Sequence, residues 1–229
     1  TENTAFVIGN GADTDNRSDA LTVLFDGTTN VAGSVTATSF IGDGSQLTNL
    51  PSSSPFSLNT TSSTGIQSQT NTASGDYSTA MGYSTTASGY ASTAMGEGTT
   101  ASGPNSIAMG ESTTASGYAS TAMGSATTPS GTYSTAMGYY TTAGGSVSTA
   151  MGRSTTASAN YSIAMGLDTT ASGSSSTAMG AYTRASGVYS TAMGNYTTAS
   201  GIGSTAMGGY TTASGDYSTA MGLSTEASG

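Results

Sequence analysis

The chain has no cysteine, no histidine, no tryptophan and no lysine. Without Cys or His there are no disulfides, no thiol chemistry and none of the usual zinc ligand sets. Its only cations are Arg17, Arg153 and Arg184, set against 12 acidic residues for a net charge of −9. A nucleic-acid backbone would find no basic track on such a surface. Charged residues make up only 7% of the chain, too few for disorder driven by charge. No apolar run approaches the length of a membrane span, and no signal peptide is visible, so any such segment is expected outside this stretch. Serine is abundant, but a nucleophilic serine needs a base, and neither His nor Lys is present. The repeat-region carboxylates Asp76, Glu97, Glu111, Asp168, Asp216 and Glu226 are scattered without the recurring pairing that glycoside hydrolysis uses, and they read as solvated turn charges. Gly9-Asn10-Gly11 is followed by neither a lysine nor a helix signal and is no phosphate loop. The sequence therefore assigns no catalytic, cofactor-binding or metal-ligating residue, and no cofactor.

What the chain has is one phrase repeated. Its 11 methionines are Met81, Met95, Met109, Met123, Met137, Met151, Met165, Met179, Met193, Met207 and Met221, each 14 residues after the last. Each is preceded by Ala, followed by Gly, and has Ser three residues before it. A fixed period without insertions is the mark of a stacked repeat. The unit splits into two halves, Ser78-Thr79-Ala80-Met81-Gly82 and Thr85-Thr86-Ala87-Ser88-Gly89, both reading Ser/Thr-x-Ala-x-Gly with two variable residues after each. Five alternating residues followed by a turn read as a strand, and the absence of a Leu or Ile stripe argues against a coiled coil. Two strands and two turns per 14 residues make one coil of a parallel β-roll. Coils stacked about 4.8 Å apart give a rod roughly 50 Å long. The alternative, an antiparallel meander, needs tight Asn-Gly-like turns, which pairs such as Asp76-Tyr77 and Val188-Tyr189 do not supply.

Aromatic usage divides the chain. The four Phe (Phe6, Phe25, Phe40, Phe56) come early and all 13 Tyr lie in the repeats. A Pro/Ser cluster at Pro51-Ser52-Ser53-Ser54-Pro55 marks the boundary. The expected organisation is a small β module at residues 1–50, a Pro/Ser/Thr-rich connector at 51–71 and the array at 72–229. Within the first module, strands are expected at 5–8, 20–25 and 34–41. About 50 residues hold too little apolar mass for an independent core, so the module is expected to lean on partner chains or on the stack.

The repeats resemble the heads of YadA-like trimeric autotransporter adhesins, whose motif is Ser-x-Ala-x-Gly at 14-residue spacing. Asn105-Ser106-Ile107-Ala108-Met109-Gly110 is the closest copy, with Met where that family often has Ile. The resemblance covers residues 72–229 and implies a left-handed parallel β-roll that assembles as a homotrimer. The stretch from Phe40 to Pro51, with Gly42-Asp43-Gly44-Ser45-Gln46-Leu47, is similar to a connector of bacterial surface fibres and phage tail fibres. The stalk and membrane anchor of that family are not in this fragment. The array stops mid-repeat at Gly229, so more chain is expected to follow.

Three surfaces are candidates for function. Alternation places Ser, Ala and Gly of the Met strand on one face and Thr and Met on the other. A two-strand coil has a thin interior, which suits the small set. The Met column, joined by Ile107 and Ile163, then points outward as an apolar stripe, the usual sign of an interface, here between chains of a trimer. Tyrosines collect at the corners: Tyr77, Tyr133, Tyr161, Tyr189 and Tyr217 at one, Tyr140, Tyr182, Tyr196 and Tyr210 at the other. They suit a protein or glycan ligand, or the edges between trimer chains. The Thr86/Ser88 column forms a hydroxyl lattice that resembles ice-binding β-solenoids, though Gly144 and Arg184 interrupt it. The reading is a non-enzymatic, extracellular fibre or adhesin segment at a cell or virion surface. The alternatives are a phage tail-fibre shaft and an ice-binding solenoid.

Overall fold

A computed structural model describes residues 70–229 in full and, before them, the backbone of strands Thr4–Gly9, Asp19–Leu24, Thr29–Val31, Ser57–Leu58 and Ile66–Gln67. The chain divides into two units, Thr1–Pro51 and Ser52–Gly229. In the first, three strands form an antiparallel meander with Asp19–Leu24 in the middle. The strand expected at 34–41 lies outside the described residues, as does most of the connector.

The second unit is a parallel β-solenoid with one 14-residue coil per repeat. Each coil contributes a five-residue strand, such as Thr79–Tyr83, and a two-residue strand, such as Thr86–Ala87. Five-residue strands pair in register along the stack, Met81 on Met95 and Gly82 on Gly96, so like residues form columns. Their sheet extends past the first coil through Ile66–Gln67, with Ser57–Leu58 antiparallel at its edge. No described residue is helical.

The thin interior has a sequence cause. Alanine is buried at every seventh position from Ala73 to Ala220, with Pro129 in place of one, and among the described residues no fully buried side chain is larger than Thr or Pro. Residues facing each other across a coil this flat have room for a methyl or a hydroxyl and little else. Thr85 and its equivalents fill a second buried column, and Ser78 and its equivalents a third. Ser78, Ser134 and Ser148 donate from Oγ to the Gly carbonyl three residues earlier, at 2.6–2.7 Å. Pro129 brings no N–H to the ladder, and the column of two-residue strands is interrupted there, between Thr114–Ala115 and Thr128–Pro129. The buried alanines divide into two clusters at the same place.

Glycine is required for two reasons. Gly82 and its equivalents have φ of 117–130°. A Cβ on Gly82 would lie 2.0 Å from the Gly96 carbonyl oxygen. The Gly75 column has no left-handed backbone, yet a Cβ there would sit 2.1 Å from the Gly89 oxygen. The expectation that Gly82 shares the inward face with Ser78 and Ala80 is corrected: Gly82 is exposed. Alternation ends at Met81, because at φ of 122° Gly82 bends the strand, although the pairing continues to Tyr83.

Candidate attachment surface

The Met face is built by the five-residue strand. Ala80 is buried beneath it, so its neighbours Thr79 and Met81 must point away from the roll. In the single chain Met81 and the Met residues through Met207 are half-buried, while Met221 in the last coil is 60% exposed. Ile107 and Ile163 take the Thr position of this face and are 38% and 37% exposed. The result is a continuous column of thioethers on an outward face, flanked by Thr and, in two coils, Ile.

Both corners depend on left-handed residues. Before the Met strand these include Tyr77, Ala91 and Asn105, and after it Ser84, Gly98 and Ser112, with φ of 50–60° throughout. The conformation has a purpose. It turns the peptide N–H along the stack, so that Ala91 donates to the Asp76 carbonyl at 2.7 Å and Gly98 to the Tyr83 carbonyl at 2.9 Å. The backbone ladder thus continues around the turns, and the side chains there project outward. Nine of these left-handed positions carry Tyr, all nine candidates from the sequence, and each is exposed.

The structure separates these tyrosines into distinct groups. Tyr182, Tyr196 and Tyr210 stack almost parallel in successive coils, with ring centroids 4.6 and 5.1 Å apart. Tyr140 meets Tyr139 edge to face at 4.4 Å. The hydrogen bond to Tyr140, then that residue's charge, hold the Tyr139 phenol above its ordinary value, and Arg153 in the next coil acts in the opposite sense. Tyr77 packs edge-on against Tyr90, and Tyr133 against Tyr118. Tyr90, Tyr118 and Tyr139 were not singled out from the sequence. The available signal was their place, one residue ahead of a left-handed position, which sets Tyr90 and Tyr118 beside a ring of the neighbouring coil and Tyr139 beside Tyr140 of its own.

The Thr86/Ser88 face emerges with Thr86 half-buried, Ser88 exposed and Ala87 buried between them. Glu97 and Glu111 stand in register in adjacent coils, and Ser125 donates to Glu111 at 3.5 Å.

The model for the YadA head domain repeat (2 copies) matches residues 73–99, 101–127, 130–146, 143–169, 171–197 and 199–225. The chain belongs to the YadA head repeat family. No curated protein matches it. The regular tiling of the YadA head matches is disturbed between residues 127 and 146. That is where Pro129 replaces a core alanine and Gly144 stands where other coils have Ser. As a YadA head repeat array, the protein is an adhesin-type β-solenoid, and its family is structural rather than enzymatic.

Proposed function

We propose that residues 72–229 form the head of a trimeric surface adhesin, a left-handed roll whose three copies meet along their Met columns near a common axis. The observation that carries this reading is the unbroken, in-register column of Met side chains left on an outward face of the single chain. A half-exposed apolar stripe the length of the array is a large surface to leave in water. Covering the remainder of each Met contributes about 1 kcal/mol, roughly half the figure for a fully buried side chain. Repeated over eleven coils and three chains, that outweighs the cost of association. The trimer leaves corners and hydroxyl faces free to meet a surface ligand of protein or glycan type. The role is extracellular attachment without catalysis, and a virion fibre shaft would use the same architecture.

The test is assembly. Met137→Asp with Met151→Asp is expected to dissociate or unfold the array, because it places carboxylates in the interface. Thr142→Asp with Thr156→Asp on the other strand is expected to be tolerated. Sedimentation of the parent chain as a monomer at high concentration overturns the reading, as does oxidation of its folded-state Met at the rate of free Met. Thermal hysteresis in the parent solution would instead favour the ice-binding alternative.

A further inference from the structure

From Tyr133 onward the corner ahead of the Met strand alternates between a ring and a smaller residue. Its left-handed position is Tyr133, Tyr161, Tyr189 and Tyr217 in every second coil, and the coils between carry Val147, Ser175 and Gly203. The period is 28 residues, so the rings recur every two coils, about 9.6 Å along the stack. They are 57%, 61%, 67% and 80% exposed. Tyr161, Tyr189 and Tyr217 contact no other ring among the described residues, unlike the stacked tyrosines of the opposite corner. Each holds a bulky side chain at φ of 57–59°, which Gly and Asn adopt far more readily. The stack imposes this backbone in every coil, so what sets these four positions apart is the exposed ring itself, which contributes nothing to the core.

The orientation and surroundings narrow the ligand. A Cβ built on Gly203 would lie 2.9 Å from Cδ1 and 3.1 Å from Cε1 of Tyr217, so one edge of that ring lies over the coil before it while the ring stays 80% exposed. The small residue in the alternate coil is what gives the ring its resting place. Beside the row stand the neutral hydrogen-bonding side chains of Thr132, Ser146, Asn160 and Ser174, then the exposed apolar Val188 and Ile202, with Asp216 the single charge. Arg153 and Arg184 lie on the two strands, away from this corner. Nothing here recruits an anion, and the array's negative charge would repel one.

We propose that this row is a stacking platform for an extended, neutral, β-linked polysaccharide. The CH-rich face of a sugar packs on a single flat aromatic ring, and hydroxyls beside the ring serve the equatorial OH groups. In an extended chain two sugar residues span about two coils, so every second sugar would meet a ring in the same aspect. A proline-rich or collagen-like helix has a comparable axial repeat, but such ligands are held in grooves between aromatics. Single rings on a projecting corner form no groove. The inference rests on the array being an attachment surface and names the chemistry it attaches to.

The experiment uses the whole chain against insoluble chitin and cellulose in depletion assays, and against soluble oligomers of two to about eight sugars. Depletion by at least one polysaccharide is expected, with affinity rising until about six sugars bridge three rings. Tyr161→Ser with Tyr189→Ser is expected to weaken binding about tenfold or more, at about three- to tenfold per ring. Tyr189→Ser with Ser175→Tyr keeps the number of rings, breaks their spacing, and should lose a comparable amount. Ser158→Ala with Ser172→Ala should change nothing. An array of unchanged circular dichroism and mass that neither polysaccharide depletes overturns the platform. So does binding that ignores the spacing variant, or capture by a collagen-like peptide alone. If the array still adheres to cell or matrix coatings in those cases, the attachment reading stands without the platform. If it adheres to nothing, both fall.

Discussion

Replacing Gly138 by alanine tests the physical basis of the stack. Gly138 has φ of 123°. A Cβ there would lie 2.0 Å from the carbonyl oxygen of Gly152, 2.9 Å from its carbon and 3.0 Å from its nitrogen. All three atoms are backbone, so no side chain can swing aside. The coil of Gly152 is itself held in register with the coil of Gly138 from Thr135↔Thr149 to Tyr139↔Arg153. Holding an L-residue in this backbone region costs about 1–3 kcal/mol. Parting the coils enough to clear the clash sacrifices two or three ladder bonds at about 1 kcal/mol each. The expected loss is therefore about 3–6 kcal/mol. Gly144→Ser, half a coil on, is the matched control. Its nearest neighbours to a new Cβ are at 3.8–3.9 Å, and other coils carry Ser at that position. It should be neutral, or stabilising by about 0.4–1 kcal/mol through the unfolded chain. Urea unfolding followed by circular dichroism, at one oligomeric state, measures both. A Gly138→Ala variant within 1 kcal/mol of the parent refutes the steric argument, and so does a Gly144→Ser variant that is equally damaged.

Further substitutions probe the ends and defects of the array. Ala159 occupies the glycine column, where Gly145 and Gly173 on either side each donate an additional bond to the neighbouring coil, at 3.2–3.3 Å, that Ala159 does not make. Ala159→Gly is expected to raise stability by about 1 kcal/mol, since relief of crowding and the regained bond exceed glycine's entropic cost; a lowered melting temperature would count against this. Asn71 accepts from both the amide and the hydroxyl of Thr85 at 2.8 Å and donates to the Gly82 carbonyl at 2.8 Å. Asn71→Ala should cost about 2–4 kcal/mol locally and speed hydrogen exchange at Thr85 without affecting distant coils. The Thr141 hydroxyl is buried without a partner, so Thr141→Val, of the same shape, should be neutral or stabilising by about 1 kcal/mol in thermal unfolding.

The stack was legible because its signal is periodic and redundant. Eleven copies of Ser-x-Ala-x-Gly leave little choice about which residues form the interior, and the inward Ala80 and outward Met81 follow from alternation. Alternation misleads where it meets Gly82, because a sequence pattern carries no mark of where φ changes sign. The corners were harder still. Tyr, Ala, Ser and Val are not residues from which one infers a left-handed turn, and only Gly98, Gly203, Asn105 and Asp168 hint at it. The conformation is imposed by the stack, which needs the corner N–H directed at the coil before it, and that demand outweighs local preference. Asn71 was placed in the connector. Its position 14 residues before Thr85 was the available clue, and only the bonds to Thr85 and Gly82 show it standing in for a column threonine.

The same geometry explains how a monotonous fold can offer a specific surface. Core, glycine and Met columns are each constrained by the coil above and below, so a change at one position is felt by the coils on either side. The left-handed corner residues are constrained only in backbone. Their N–H is committed to the ladder and their side chain points to water, so residues from Gly203 to Tyr217 occupy equivalent positions in neighbouring coils. Composition at the corners is thereby uncoupled from folding, whereas spacing is fixed by it. A ligand that reads spacing is the kind such an array is built to hold, because the stack sets the distance between rings without any contribution from the rings themselves. The 28-residue alternation of Tyr with small residues uses that property. It also accounts for why Tyr161, Tyr189 and Tyr217 stay apart while Tyr182, Tyr196 and Tyr210, in consecutive coils, spend their faces on one another.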